Sequence, residues 1–297
     1  MKTALVLDLD ETLVQMGPLH HVLFNILSSF PPEEVEQQMA IFNAPLSILS
    51  QMTRLHALRP AVIAFLARIA RCTPEVPVIL YTDAGFCPES DTPHQYDHLP
   101  YVADAITYAV NTKREMGGKK WDGFHALLTR SLWYTEPQRH GAPGHHFGFV
   151  QQHPGRVEKD LVSEVERVVF GGDEVNILFL DDRNPELVRM DPDRHMYLRV
   201  APYKTFNSNE AECQALICLM NWKDVALPHS VRSALMLKWN DMWTGWMKER
   251  NIINDRPMQS QAGVPFPGSH EWWRFVDPWL MRHRIDVPQL SASRQAL

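Results

Sequence analysis

The chain has 297 residues, 45% of them hydrophobic and 22% charged, enough to bury one large core or two modest ones. Its net charge of −6 and pI near 6.1 exclude a global basic field that would recruit nucleic acid or an anionic membrane. No apolar run reaches the roughly 18 residues needed to span a bilayer.

The first predicted element is Thr3-Ala-Leu-Val-Leu-Asp-Leu-Asp, a strand apolar on both faces until the acids appear. Asp8, Asp10 and Glu11 follow too soon for a secretory leader, so this stretch is expected to be folded structure in an intracellular protein. Residues 19–58 read as helical, with Pro31-Pro32-Glu33-Glu34 suiting a first turn. Pro60 to Arg71 carries one helical stripe, Val62, Ile63, Phe65, Leu66 and Ile69. Pro74 and Pro77 then precede a second buried strand, Val78-Ile-Leu-Tyr-Thr-Asp. Ala105 to Val110 reads as a third strand, Ile177-Leu-Phe-Leu-Asp-Asp as a fourth and Met196 to Val200 as a fifth. Between Trp121 and Val157 the chain is rich in Gly, Pro, His and aromatic residues, which reads as an insertion over the sheet edge. From about Ser208 the pattern is helical, and Trp239, Trp243 and Trp246 share one face.

Strands alternating with helical stretches predict the α/β class and a doubly wound parallel sheet. Such sheets bind ligands beyond the carboxyl ends of their strands. Two of the strongest strands end in acids, at Asp8/Asp10 and Asp181/Asp182, and a third ends at Thr82-Asp83. Buried acids are costly unless paired or bound to metal, so chemistry is expected there. Cys72, Cys87, Cys213 and Cys218 form no CxxC pair and read as reduced thiols, mostly filling the core. His140, His145, His146 and His153 lack a zinc-ligand spacing and read as a histidine-rich loop.

With these motifs in hand, the chain resembles the haloacid dehalogenase superfamily of phosphotransferases. Within it, Asp8-Leu9-Asp10-Glu11-Thr12-Leu13-Val14 is similar to the first motif of the RNA polymerase carboxy-terminal-domain phosphatases and their small relatives. Leu58-Arg59-Pro60 resembles that branch's LRP element, and Thr82 its second-motif hydroxyl residue. Lys159-Asp160-Leu161 resembles the third motif. Asp181-Asp182 with nearby Pro185 resembles the fourth, and Arg194 to Tyr203 the closing strand. The likeness spans about residues 1–205. It implies a Rossmann-like core with an insertion near 112–157, followed by a helical, Trp-rich C-terminal extension over 206–297.

The chain departs from the family at Tyr81-Thr82-Asp83-Ala84, where Trp-Thr-Ala-Ser is common, and at Asp181-Asp182-Arg183-Asn184-Pro185, where Asp-Asp-Ser-Pro is common. The Thr82–Lys159 separation is also long. These departures bear on substrate choice more than on reaction type.

The resemblance implies a Mg²⁺-dependent phosphohydrolase. Asp8 is the nucleophile that becomes an aspartyl-phosphate, and Asp10 is the general acid and base. Thr82 donates a hydrogen bond to a phosphoryl oxygen, and Lys159 neutralises charge building on the phosphoryl group. Asp8, Asp181 and the backbone carbonyl of Asp10 supply oxygen ligands to the metal, with Asp182 beside them or orienting Lys159. Arg59, at a helix start, reads as a surface charge outside the catalytic set.

The expected substrate is a phosphoserine or phosphothreonine protein or peptide. One rival is a nucleotide, polynucleotide end or small metabolite, although the acidic balance disfavours long nucleic acids. A second rival is a catalytically silent scaffold that keeps the fold and binds partners through the Trp-rich C-terminal region. The 239/243/246 stripe is otherwise expected to dock a helix on the catalytic domain. Trp272, Trp273 and Trp279 suit packing on the body or binding another chain.

Overall fold

The computed structural model describes residues 1–15, 45–54, 57–59, 61–82, 99–112, 120–129, 146–149, 159–183, 185, 188–203 and 273–288. Eight strands are described: β1 (Lys2–Leu7), β2 (Val78–Thr82), β3 (Ala126–Thr129), β4 (His146–Phe149), β5 (Lys159–Asp160), β6 (Val175–Asp181), β7 (Val188–Arg189) and β8 (His195–Arg199). The helices are α1 (Pro45–Arg54), α2 (Val62–Ile69), α3 (Leu99–Thr112), the π-wound α4 (Leu161–Val169) and α5 (Trp273–Arg282).

Six strands form one parallel sheet in the order β4-β3-β2-β1-β6-β8. The remaining two, β5 and β7, pair with each other. This α/β architecture is compatible with a Rossmann-like core. It needs apolar strands because both sheet faces are covered. Alternate residues of β1 serve opposite layers: Leu5 and Leu7 join Leu80, Leu178 and Leu180 on one face, against α2, α3 and α5. Ala4 and Val6 join Ile79, Tyr81, Ile177 and Phe179 on the other, against Leu161 and Val165 of α4.

The strands predicted at the starts of the motifs are present as β1, β2, β6 and β8, and the 60–71 stripe folds as α2. Ala105 to Val110 is a correction, because it lies within helix α3. Its buried residues fall in pairs, Val102/Ala103, Ala105/Ile106 and Ala109/Val110, while Tyr108 faces solvent. That is a helical spacing, and it outweighs the β-branched composition of the six-residue window. The expected insertion also needs revision, since it supplies β3 and β4, which form one edge of the sheet instead of lying over it.

Of the helix predicted over 19–58, residues 45–54 are helical. Ala57 to Arg59 is extended beside the loop after β1, where Gln15 N–H donates to Ala57 O and Arg59 N–H to Leu13 O. Trp239, Trp243, Trp246, Trp272, Asp83, Pro60, Cys87, Cys213, Cys218, His140, His145 and His153 lie outside the described residues. Cys72 is a buried free thiol, and Trp279 packs into the core beside Val276 and Leu280. Among the described residues no helix is long and apolar enough to cross a membrane.

Candidate active site

The chain leaves β1 to build β2, β3 and β4 on one side, then returns to place β6 and β8 on the other. The β1/β6 boundary is therefore the point where strand order reverses, and sheets of this kind bind ligands beyond the carboxyl ends of the strands there. Leu7 is in register with Leu180, and Asp8 N–H donates to Leu180 O at 2.9 Å. Asp8 and Asp181 therefore leave their strands side by side. Thr82, fully buried, ends the neighbouring β2, whose Leu80 is in register with Leu7.

Lys159, the first residue of β5, enters this group from more than 150 positions beyond Asp8 in sequence. Its Nζ donates to Asp8 Oδ1 and to Asp181 Oδ2, each at 2.8 Å. All three side chains are buried, with Lys159 only 2% exposed. Asp181 is fixed further by the N–H of Arg183, which donates to its Oδ1 at 3.0 Å. Asp182 joins the group: one carboxylate oxygen from each of Asp8, Asp181 and Asp182 lies within 4.8 Å of the others. These acids could hold a metal ion. The donors are all hard oxygens, the set that suits a hard divalent cation better than a zinc site built on Cys or His.

Electrostatics fit that arrangement. Burial pushes the Asp8 carboxyl up to about 7 against the pull of Lys159, and the charges of Asp181 and Asp10 add to the rise. Burial also lifts Asp182 to about 7, with the charges of Asp8, Asp181 and Glu11 acting in the same direction. A cluster this acidic, balanced by one ammonium, is what a divalent cation would neutralise.

Asp10 sits in a closed turn after β1. Leu13 and Val14 N–H both donate to Leu9 O, Glu11 N–H donates to Val14 O at 2.8 Å, and Glu11 takes a left-handed φ of 57°. The Asp10 charge adds to the rise at Asp8, while Asp10 is not among the three converging carboxylates. Asp182 belongs with the converging carboxylates, whereas sequence reasoning put it at their margin.

Sequence reasoning missed three side chains. Arg59 is a correction: it is 1% exposed, not a surface charge. Its guanidinium donates to Glu11 O at 2.8 Å and to Ala201 O, and it stacks over Tyr203 with 5.4 Å from Cζ to the ring centroid. Tyr81 and Phe179 flank the Lys159 ammonium, at 5.5 and 5.1 Å from their ring centroids. Their signal was available, since each lies one or two positions before a motif residue, Thr82 or Asp181.

No protein-family model, curated protein or solved structure matches the chain.

Proposed function

We propose that the chain is a phosphomonoester hydrolase that uses Mg²⁺ and passes through an aspartyl-phosphate on Asp8, acting on phosphoserine or phosphothreonine in proteins. The observation that carries this reading is the convergence of Asp8, Asp181 and Asp182 with Lys159 at 2.8 Å from two of them, at the strand-order reversal.

A phosphate monoester resists attack because nucleophile and target are both anionic. When bound by Asp8, Asp181, Asp182 and the Asp10 carbonyl, Mg²⁺ would neutralise that charge and orient the phosphoryl group. Asp8 attacks phosphorus as the bond to the ester oxygen breaks, and Asp10 gives its proton to the leaving alkoxide. Water then attacks the acyl phosphate, Asp10 takes its proton, and inorganic phosphate leaves with Asp8 regenerated. Lys159 and the Thr82 hydroxyl stabilise charge on the phosphoryl oxygens.

The protein substrate rests on the Asp-Leu-Asp-Glu-Thr-Leu-Val likeness and on the long segment between Thr82 and Lys159, large enough to shape a groove. The test is turnover of an aryl phosphate with and without Mg²⁺, for wild type and Asp8→Asn. The variant is expected to lose at least about 10³-fold in kcat. Beryllium fluoride is expected to bind wild type with Mg²⁺ and not the variant. Equal rates in wild type and variant refute the reading. A panel of phosphopeptides, nucleotides and sugar phosphates then assigns the substrate class.

A further inference from the structure

The two aromatic rings under Lys159 have no role in the reaction as derived above. Tyr81 is fully buried on β2 and Phe179 fully buried on β6. Their rings stack, with centroids 6.1 Å apart and planes 24° from parallel, and Tyr197 closes edge-on against Phe179 at 5.5 Å. The Lys159 ammonium lies over both rings, 5.5 and 5.1 Å from their centroids, while it donates to the Asp8 and Asp181 carboxylates. The Tyr81 hydroxyl also accepts the backbone N–H of Asp160 at 3.2 Å, a bond shared with Glu164 Oε2 at 3.2 Å, so the ring that supports the ammonium also helps hold the peptide that delivers it.

We propose that Tyr81 and Phe179 form an aromatic seat that positions Lys159, with the Tyr81 hydroxyl keying the Lys159–Asp160 segment to the sheet. A lysine has four flexible stem bonds and a strongly hydrated head, so two carboxylates alone leave it free to swing with water. Two π faces attract the cation and exclude that water, which is worth most where the site is dry. The role assigned to Lys159 in charge neutralisation rests on the phosphohydrolase reading. The seat itself is a claim about where an ammonium is held.

The test uses competitive acetylation of the full chain with trace acetic anhydride. Peptide mass spectrometry reads labelling of Lys159 against Lys2, which is exposed and serves as the internal reference. Lys159 is expected to be strongly protected in wild type. Tyr81→Phe keeps the ring and loses the hydroxyl, so labelling should rise about threefold to tenfold. Tyr81→Leu loses both and should raise it further. Ile79→Val, a cavity on the same face of the same strand, controls for general loosening and should leave Lys159 protected.

Unchanged protection in both Tyr81 variants overturns the proposal, and so does equal deprotection by Ile79→Val. If wild type hydrolyses aryl phosphate, Tyr81→Phe should also lower kcat by a similar factor with KM unchanged. Protection that responds to Tyr81 in a protein without turnover keeps the seat and removes the phosphohydrolase reading. Turnover with protection indifferent to Tyr81 does the reverse.

Discussion

Asp8, Asp182 and Glu164 hold their protons far longer in the folded chain than an exposed carboxyl does. Burial lifts each to about 7, Lys159 opposing the rise at Asp8 and the Asp160 N–H opposing it at Glu164. Their ordinary values are 3.8, 3.8 and 4.5, so between those and about 7 the folded state binds more protons than the unfolded chain. Stability then falls as pH rises, because the unfolded state releases its protons first. The contribution of these groups is complete below their ordinary values and lost as pH passes through 7. With a chelator present, the melting temperature is expected to fall from pH 5 to pH 8, and Asp8→Asn, which has no proton to lose, should flatten the fall. Mg²⁺ should raise the pH 8 melting temperature most, since carboxylate ligands bind it deprotonated. Thermal unfolding followed by circular dichroism at four pH values checks this. The same slope in wild type and Asp8→Asn would show that Asp8 does not titrate in this range.

Three extended segments meet at Arg59: the turn after β1, the stretch 57–59 and the end of β8. Its guanidinium links carbonyls 48 and 142 positions away, at Glu11 and Ala201, while Tyr203 N–H returns to Glu11 O at 2.6 Å. Burial draws its pKa down to about 10, with the Asp182 charge resisting. Arg59→Leu takes a donor from two part-buried carbonyls and is expected to cost about 1–3 kcal/mol of stability, read from denaturant unfolding. Arg59→Lys should recover only part of the loss, because an ammonium cannot stack on Tyr203 as the flat guanidinium does. A midpoint within error of wild type for Arg59→Leu would refute this bridging role. Such a residue is hard to read from sequence: a charge at a helix start is usually solvated, and only the partners far along the chain make it buried. β1, β2 and β6 were legible because each is a continuous apolar run ending in a polar motif residue. β3 and β4, at four residues each, carry too little pattern to stand out among the Gly, Pro and His around them. Asp8, Lys159 and Asp181 were legible as motif residues. Their convergence depends on register, which no local pattern records.

At the scale of the whole molecule, the last described segment belongs to the same core as the first strand. Val276, Trp279, Leu280 and Ile285 pack in one cluster with Leu5, Leu7, Leu80 and Leu178. Arg68 of α2 pairs with Asp277 and donates from Nε to Pro288 O at 2.9 Å. Thr73 and Asp286 exchange both backbone hydrogen bonds, at 3.1 and 2.7 Å, just ahead of β2 and its terminal Thr82. A chain ending at residue 272 therefore exposes the apolar face of α2 and strands Arg68, a partly buried cation without its carboxylate. Trp279→Ala, a milder lesion, should cost about 3–5 kcal/mol by leaving a cavity lined by that cluster. Because segment and sheet share a core, unfolding should be one transition, with far-UV circular dichroism and the near-UV signal of buried aromatics changing together. The truncated chain is expected to express as insoluble or loosely packed protein, and full-length Trp279→Ala to keep a single transition at lower denaturant. A 1–272 chain with the wild-type midpoint would show instead that residues 273–288 rest on a core able to close without them.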